Sequence, residues 1–323
     1  MKLVIQIPCF NEEEVLPQTL ADLPRQIDGV DEIEVLIVDD GSTDRTVEVA
    51  REHGVQHIIR LTSNQGLARG FATGLDEALK LGADVIVNTD ADNQYSGSSI
   101  ADLIRPILEG RADLVVGNRC IETIEHFSWL KKRLQKLGSW VVRRLSDTDV
   151  PDATSGFRAY SRDAALRLNI VSPFSYTLET IIQAGKKGMA VTHVPIETNP
   201  QTRESRLFTS TWQFIKRQAA TILRMYVMYE PLKTFVYLSM VPLVVALFLG
   251  VRFLWYHMSR GGAAGHVQSL IVMAVLFMLS FLLIVLGILA DLIYNSRRLT
   301  EDALYKTRLM ELEQREREKS GRG

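Results

Sequence analysis

Asp90, Asp92 and Gln94 place three oxygen-bearing side chains at alternating positions directly after a short apolar run, Val85 to Val87. Such a run reads as a buried strand. In extended backbone, alternate side chains point to the same side. Two carboxylates and an amide oxygen converging at a strand end suit a hard divalent cation, Mg²⁺ or Mn²⁺, which commonly completes its shell with substrate phosphates. A solvated acidic loop is the competing reading of Asp-x-Asp taken alone, so the elements around it must decide.

Those elements alternate in kind. Lys2 to Ile7 reads as a first strand and stops at Pro8-Cys9-Phe10-Asn11-Glu12-Glu13-Glu14. Here Asn11 is expected to cap a helix whose first turn holds the glutamates. Ile33 to Val38 is a second strand, ending in Asp39-Asp40-Gly41-Ser42, and Thr43-Asp44 lead into a helix that ends near Gly54. Ile58-Ile59, Asn64-Gln65-Gly66 and a helix through Leu79 repeat the pattern before the central strand. Strands alternating with helices predict an α/β sandwich with a largely parallel sheet. Ligands bind such sheets outside the carboxyl ends of the strands, where the polar clusters fall. No Gly-x-Gly-x-x-Gly follows the first strand, which argues against a dinucleotide fold.

Composition bounds the rest. A net charge of −1 over 323 residues gives no global positive field and makes nucleic acid a poor partner. The two cysteines, Cys9 and Cys120, have neither metal-ligand nor redox spacing and suit a reducing, cytoplasmic setting. The chain opens directly on a strand, so no leader is expected. Thr234–Val251 and Val267–Ala290 carry no charge; each approaches or exceeds the roughly 20 residues that span a bilayer as a helix. A membrane anchor at the C-terminal end, following a soluble domain of about 225 residues, is the expectation.

Taken together, Pro8-Cys9-Phe10-Asn11-Glu12-Glu13, Ile37-Val38-Asp39-Asp40-Gly41-Ser42-Thr43-Asp44, Thr89-Asp90-Ala91-Asp92-Asn93-Gln94 and Asp152-Ala153-Thr154-Ser155-Gly156-Phe157-Arg158 resemble the signatures of family 2 glycosyltransferases. More narrowly, they resemble the dolichyl-phosphate mannose synthase group and its polyprenyl-phosphate relatives. The resemblance covers about residues 1 to 210. It implies an α/β fold of GT-A type, a Rossmann-like mixed sheet flanked by helices; the amphipathic and charge-free stretches beyond it add interfacial helices and a two-helix transmembrane hairpin. Carried over by position, it implies nucleotide-sugar binding by Pro8, Phe10, Glu12, Val38, Asp39, Asp90 and Ala91. Asp90, Asp92 and Gln94 would hold Mg²⁺ or Mn²⁺, and Asp92, Asp152 and Arg119 would work at the reacting centre, Asp152 by orienting the sugar or by proton transfer. Arg119 follows Gly117-Asn118, where the group often has Gly-Ser-Arg. Gln201-Thr202-Arg203-Glu204-Ser205-Arg206-Leu207 resembles the basic loop that approaches the acceptor phosphate, with Arg203, Ser205 and Arg206 as its contacts. Guanidinium forks match phosphate oxygens.

The expected domains are a catalytic domain over 1–208, an amphipathic interfacial helix over 209–230, two transmembrane helices at about 231–256 and 267–294, and a charged cytoplasmic tail over 295–323. Trp129 to Leu145 reads as a basic amphipathic helix suited to an anionic membrane surface or to packing on the sheet. Glu179 lies on a helix from Tyr176 to Gly185, facing the sugar pocket or solvent, and Ala190 to Val194 forms a further strand. Glu301 to Lys319 reads as a solvated helix without chemistry. Lys216, Arg217, Arg224 and Lys233 before the first span and Arg297 and Arg298 after the second put both ends in the cytoplasm.

The expected reaction is inverting transfer of one sugar from a nucleotide-diphosphate sugar, GDP-mannose or a UDP-hexose, to a polyprenyl phosphate. Inversion is implied by the resemblance alone. The partners are then the donor, the lipid acceptor and the membrane, with a homo-oligomer left open. A processive polysaccharide synthase and a non-catalytic membrane scaffold are the alternatives. The first lacks its Gln-x-x-Arg-Trp motif here, and the second sits poorly with an intact Asp90 and Asp92.

Overall fold

The computed structural model describes residues 1–120, 129–171, 176–199, 211–260 and 267–320. The chain forms two compact units, one of residues 1–222 with 302–323 and the other of residues 223–301.

The first unit is built on a sheet of β1 (Lys2–Cys9), β2 (Glu32–Asp39), β3 (His57–Arg60), β4 (Val85–Asn88), β5 (Leu114–Asn118), β6 (Arg158–Ser161) and β7 (Val191–Pro195), in the order β3-β2-β1-β4-β6-β5-β7. The pairings β1–β2, β1–β4, β2–β3 and β5–β7 are parallel. β6 is wedged antiparallel between β4 and β5, so the sheet is mixed. Around it lie α1 (Leu16–Asp22), α2 (Thr46–Glu52), α3 (Leu67–Lys80), α4 (Ile100–Leu108), α5 (Trp129–Ser146), α6 (Arg162–Arg167) and α7 (Thr177–Lys186). The expected strands at β1 to β4 and β7 are present, within a residue or two at their ends.

The core reflects strands covered on both faces, which read as nearly continuous apolar runs. Leu3, Ile5, Ile7, Ile37, Val87, Val115 and Phe157 are buried in one cluster with Leu103 and Ile104 of α4. The close approach of α3 to the sheet depends on Gly74, where a Cβ would lie 3.2 Å from Val38 and closer still to the Gln6 side chain.

α8 (Thr211–Tyr229) runs from the first unit into the second, which also holds α9 (Pro231–Arg260) and most of α10 (Val267–Ser320). Pro242 lies within α9 without ending it. Both helices are long and apolar enough to cross a membrane, and only 17% and 11% of their most apolar windows are buried, unlike the core helices of a soluble domain. They pack through small residues that let backbones approach. The Ser280 hydroxyl donates to Ser239 O at 3.0 Å, and a Cβ on Gly250 or Gly287 would lie 2.9 Å from Met273 or Phe235 respectively.

The charged C-terminal segment is helical, as expected, but it is not simply solvated. Residues 302–320 of α10 belong to the first unit, where the Tyr305 hydroxyl donates to Asp163 at 2.9 Å. Arg308 donates to Leu166 O at 3.3 Å and Leu168 O at 3.1 Å. Arg308 thereby satisfies carbonyls left open where α6 ends, a common role for a basic side chain.

Candidate active site

The carboxyl ends of β1, β2 and β4 bring the first three motifs to one edge of the sheet. Register places Cys9 beside Asp39 and Asp39 beside Arg60. On the other side, Gln6, Asn88, Arg158 and Val116 line up across β1, β4, β6 and β5. Because β6 runs antiparallel, its first residue lies at this edge, and the Asp152–Phe157 segment that precedes it arrives beside Asp90.

The first two motifs are stitched together. Asn11 is not the expected helix cap: α1 starts at Leu16 with Pro17 in its first turn, and Val15 occupies the cap position. Asn11 instead adopts a left-handed backbone, φ 56°. Its side-chain oxygen accepts the Thr43 N–H at 2.8 Å, and its own N–H donates to the Ser42 hydroxyl at 2.9 Å. Glu13 accepts the Arg45 N–H at 2.9 Å, and Asp44 accepts the Glu13 N–H at 3.1 Å. The glutamates thus hold a turn rather than open a helix.

Asp39, expected at the nucleoside, has a fully buried side chain. It accepts the Ser42 N–H at 3.2 Å and lies 3.3 Å from Arg60 Nε. Its neighbour Asp40 accepts the Gln65 and Gly66 N–H groups at 2.7 and 2.8 Å, so it anchors the turn before α3. Gly41 has φ 75°, and a Cβ there would meet the Ser63 backbone at 2.7 Å; only glycine fits that turn. Phe10 is 40% exposed, a free aromatic face at this edge. Pro8 and Glu12 are half-buried. Val38 and Ala91 are buried and present almost no side-chain surface, although the Ala91 carbonyl is held by the Thr19 hydroxyl at 2.8 Å.

The Asp90–Gln94 turn is held from several sides. Asp92 accepts the Gln94 N–H at 3.1 Å, and Asn93 is left-handed, φ 55°. Asn199 donates from Nδ2 to Asn93 O at 3.0 Å and from its backbone to Gln94 O at 2.9 Å. Desolvation raises the Asp90 pKa to about 7; the Asp92 charge adds to the rise and the Arg119 charge opposes it. A carboxylate so disfavoured by burial and by a like neighbour suits a bound cation. Among the described residues no three His, Cys, Asp or Glu side chains form a metal-holding group. The donor set of this turn, two carboxylates and the Gln94 amide oxygen, is of the kind that fits a divalent ion whose shell a ligand's phosphates complete.

Arg119 lies in the turn after β5 and grips Asp152, with Nε to Oδ2 at 2.7 Å and Nη2 to Oδ1 at 3.0 Å. Nη2 also donates to the Thr154 hydroxyl at 2.9 Å. Burial pushes the Asp152 pKa up, but the Arg119 charge and its hydrogen bonds outweigh this and the net shift is downward. Both oxygens of a firmly ionised carboxylate are thus committed to orienting a guanidinium.

Glu179 neither faces solvent nor stands open to a pocket. It is fully buried, with both oxygens accepting the Val171 N–H at 3.2 Å and Oε1 also accepting from Gln183. Arg203, Ser205 and Arg206, expected at the acceptor phosphate, lie outside the described residues. Sequence reasoning gave no role to Asn88, Tyr95, Tyr176 and Asn199, nor to Gly156 and Arg158, although those two stand in the fourth signature. Asn88 carried a visible signal, an amide closing an otherwise apolar strand. Arg158 is a fully buried cation whose guanidinium donates to Ala153 O, Ser155 O and Thr177 O, clamping the segment that holds Asp152.

A mixed α/β sheet with an acidic Asp-x-Asp turn at its carboxyl edge and an arginine–aspartate pair beside it is an architecture of GT-A type. The comparisons with known proteins agree. The profile of Glycosyl transferase family 2 matches residues 4–168, and the chain belongs to that family. It is 30% identical over 206 residues to an undecaprenyl-phosphate mannosyltransferase from Micrococcus luteus, covering 61% of this chain and 83% of the relative. It is 32% identical over 216 residues to a UDP-N-acetylglucosamine–dolichyl-phosphate N-acetylglucosaminyltransferase from Methanococcus voltae, covering 59% and 83%. Among solved structures, glucosyl-3-phosphoglycerate synthase from Mycobacterium tuberculosis, in complex with Mn²⁺, UDP-glucose and phosphoglyceric acid, superposes with a TM-score of 0.53. That match has 18% identity and covers 70% of this chain and 78% of the other; it speaks to fold.

Proposed function

We propose that this glycosyltransferase moves a single sugar from a nucleotide-diphosphate sugar to a polyprenyl phosphate at a membrane surface, with inversion at the anomeric carbon. The observation that carries the reading is the pairing, at one sheet edge, of the Asp90–Asp92 turn with an Arg119 held by Asp152. The acidic turn suits a metal-bound diphosphate, and a preoriented guanidinium suits phosphate or sugar oxygens. Two lines support the acceptor: the relatives' names specify polyprenyl or dolichyl phosphates with differing sugars, and this chain carries two helices suited to a bilayer.

In this reading Phe10 and Asp39 receive the nucleoside, and Pro8, Glu12, Val38 and Ala91 shape that end of the site. Asp90, Asp92 and Gln94 would hold Mg²⁺ or Mn²⁺, which when bound would supply Lewis-acid stabilisation of diphosphate charge. The acceptor phosphate is mostly dianionic near pH 7, its second pKa being about 6, so its oxygen is already a nucleophile. Asp152, committed to Arg119, acts by orientation rather than as a base. Arg203, Ser205 and Arg206 position the acceptor phosphate. Trp140, 56% exposed on the basic helix α5, rests at the membrane surface, and the catalytic unit faces the cytoplasm.

The test is direct. Purified protein given labelled GDP-mannose, UDP-glucose or UDP-N-acetylglucosamine with undecaprenyl phosphate should yield a lipid carrying one sugar. A ladder of sugars formed without added lipid phosphate would replace this reading with polymer synthesis.

A further inference from the structure

The Asp90 carboxylate lies against the backbone of Gly156. A Cβ at position 156 would come within 2.9 and 3.1 Å of the two Asp90 oxygens and 3.0 Å of the Tyr176 hydroxyl. The position of that carboxylate is therefore bounded by the Gly156 peptide, whose own position is set by three side chains. The Tyr95 hydroxyl accepts the Gly156 N–H at 3.1 Å. Asn88 Nδ2 donates to Gly156 O at 2.9 Å and to the Tyr176 hydroxyl oxygen at 2.8 Å. Tyr176 in turn donates to Gly156 O at 3.3 Å.

This assembly is rigid by construction. Asn88 and Tyr176 are fully buried. The Asn88 side-chain oxygen is occupied by Gln6 Nε2 at 2.9 Å, which fixes the amide's orientation. The Tyr176 ring stacks on Phe71 at 3.8 Å between centroids and 4° between planes. Burying an amide and a phenol in an apolar core is costly unless both are hydrogen-bonded, and here their bonds converge on one peptide. An apolar pair would fill the same volume without directing anything at position 156.

We propose that Asn88 and Tyr176 are positioning residues that, through the Gly156 peptide, set where the Asp90 carboxylate stands and so set the affinity of the site for its divalent cation. Neither side chain touches the cation; both act through Gly156. The inference rests on the metal reading of Asp90 and Asp92 given above. Removing a group that orients a metal ligand typically weakens metal affinity by about tenfold or more.

The experiment measures Mn²⁺ dissociation constants by electron paramagnetic resonance, with UDP or GDP present, on the full-length protein in detergent. Tyr176→Phe keeps the stacked ring and removes only the hydroxyl; Gly156→Ala puts a methyl group against the carboxylate. Both should weaken Mn²⁺ binding about tenfold, and the Mn²⁺ concentration for half-maximal turnover should rise while kcat at saturating Mn²⁺ falls less. Tyr160→Phe, which removes another buried hydroxyl from the same core, should leave the Mn²⁺ constant unchanged. If Tyr176→Phe does not fold, Asn88→Ala and Gly156→Ala carry the same expectation. Parent-like Mn²⁺ constants in the folded variants overturn the inference and leave the metal reading standing. A parent that binds no Mn²⁺ with either nucleotide overturns the metal reading itself, and the inference with it.

Discussion

Asp152 takes the Arg119 guanidinium on both of its oxygens, at 2.7 and 3.0 Å, with the carboxylate almost wholly buried. The two residues are 33 positions apart and meet only because β6 turns back between β4 and β5. A buried ion pair contributes little net when intact, but breaking it is expensive because the remaining charge stays buried. Asp152→Ala should therefore lower stability by about 3–5 kcal/mol and depress transfer as well, checked by thermal unfolding beside a sugar-transfer assay.

The same pair predicts a pH dependence. The folded-state pKa of Asp152 is below its ordinary value of 3.8, so the native state holds fewer protons than the unfolded chain in the acid range. Its stabilisation is complete above about pH 4–5 and is lost as pH falls through the lowered folded value. Asp152→Asn should flatten the acid limb of a plot of Tm against pH. An unchanged limb would show that other carboxylates control acid unfolding.

The metal role proposed for the Asp90–Gln94 turn predicts metal dependence. Asp92→Ala should abolish transfer while leaving the thermal transition within about 1 kcal/mol of the parent, as for a partly exposed site away from the core. EDTA should silence the parent, and Mn²⁺ or Mg²⁺ should restore it. Full turnover after verified metal removal would end the metal assignment.

The proposed reading gives acceptor recognition to Arg203 and Arg206. A charge-assisted contact to phosphate is worth about 1.5–3 kcal/mol, roughly ten- to a hundredfold in affinity. Arg203→Ala and Arg206→Ala should raise the KM for polyprenyl phosphate by that factor, with nucleotide-sugar binding by calorimetry nearly unchanged. Loss of donor binding instead would move these arginines to the other substrate.

The tail contact is testable separately. Arg308→Ala removes two hydrogen bonds to the carbonyls of Leu166 and Leu168 and should cost about 1–2 kcal/mol. The ion pair of Arg308 with Asp76 is half-exposed and contributes little, so Asp76→Asn should be nearly silent. Comparable losses from both variants, read by thermal unfolding, would reverse that assignment.

Much of this protein is written locally. Apolar runs ending before Asp39 and at Asn88 mark strands and the edge at which ligands bind, because burial on both faces leaves a signature within each segment. Charge-free stretches in α9 and α10 mark helices fit for a bilayer for the same reason. The family signatures, and with them Asp90, Asp92 and Arg119, are likewise contiguous. What the sequence leaves open are the encounters between distant segments. Only the folded chain turns β6 antiparallel, brings Asn88 to Gly156 and Tyr176 across 68 and 88 residues, makes Asn11 a strut to Thr43 rather than a helix cap, and lays Tyr305 on Asp163. Periodicity and residue type record what a segment must bury. They do not record which distant backbone will supply the partner for a buried amide, because that choice is made by the packing of the whole sheet.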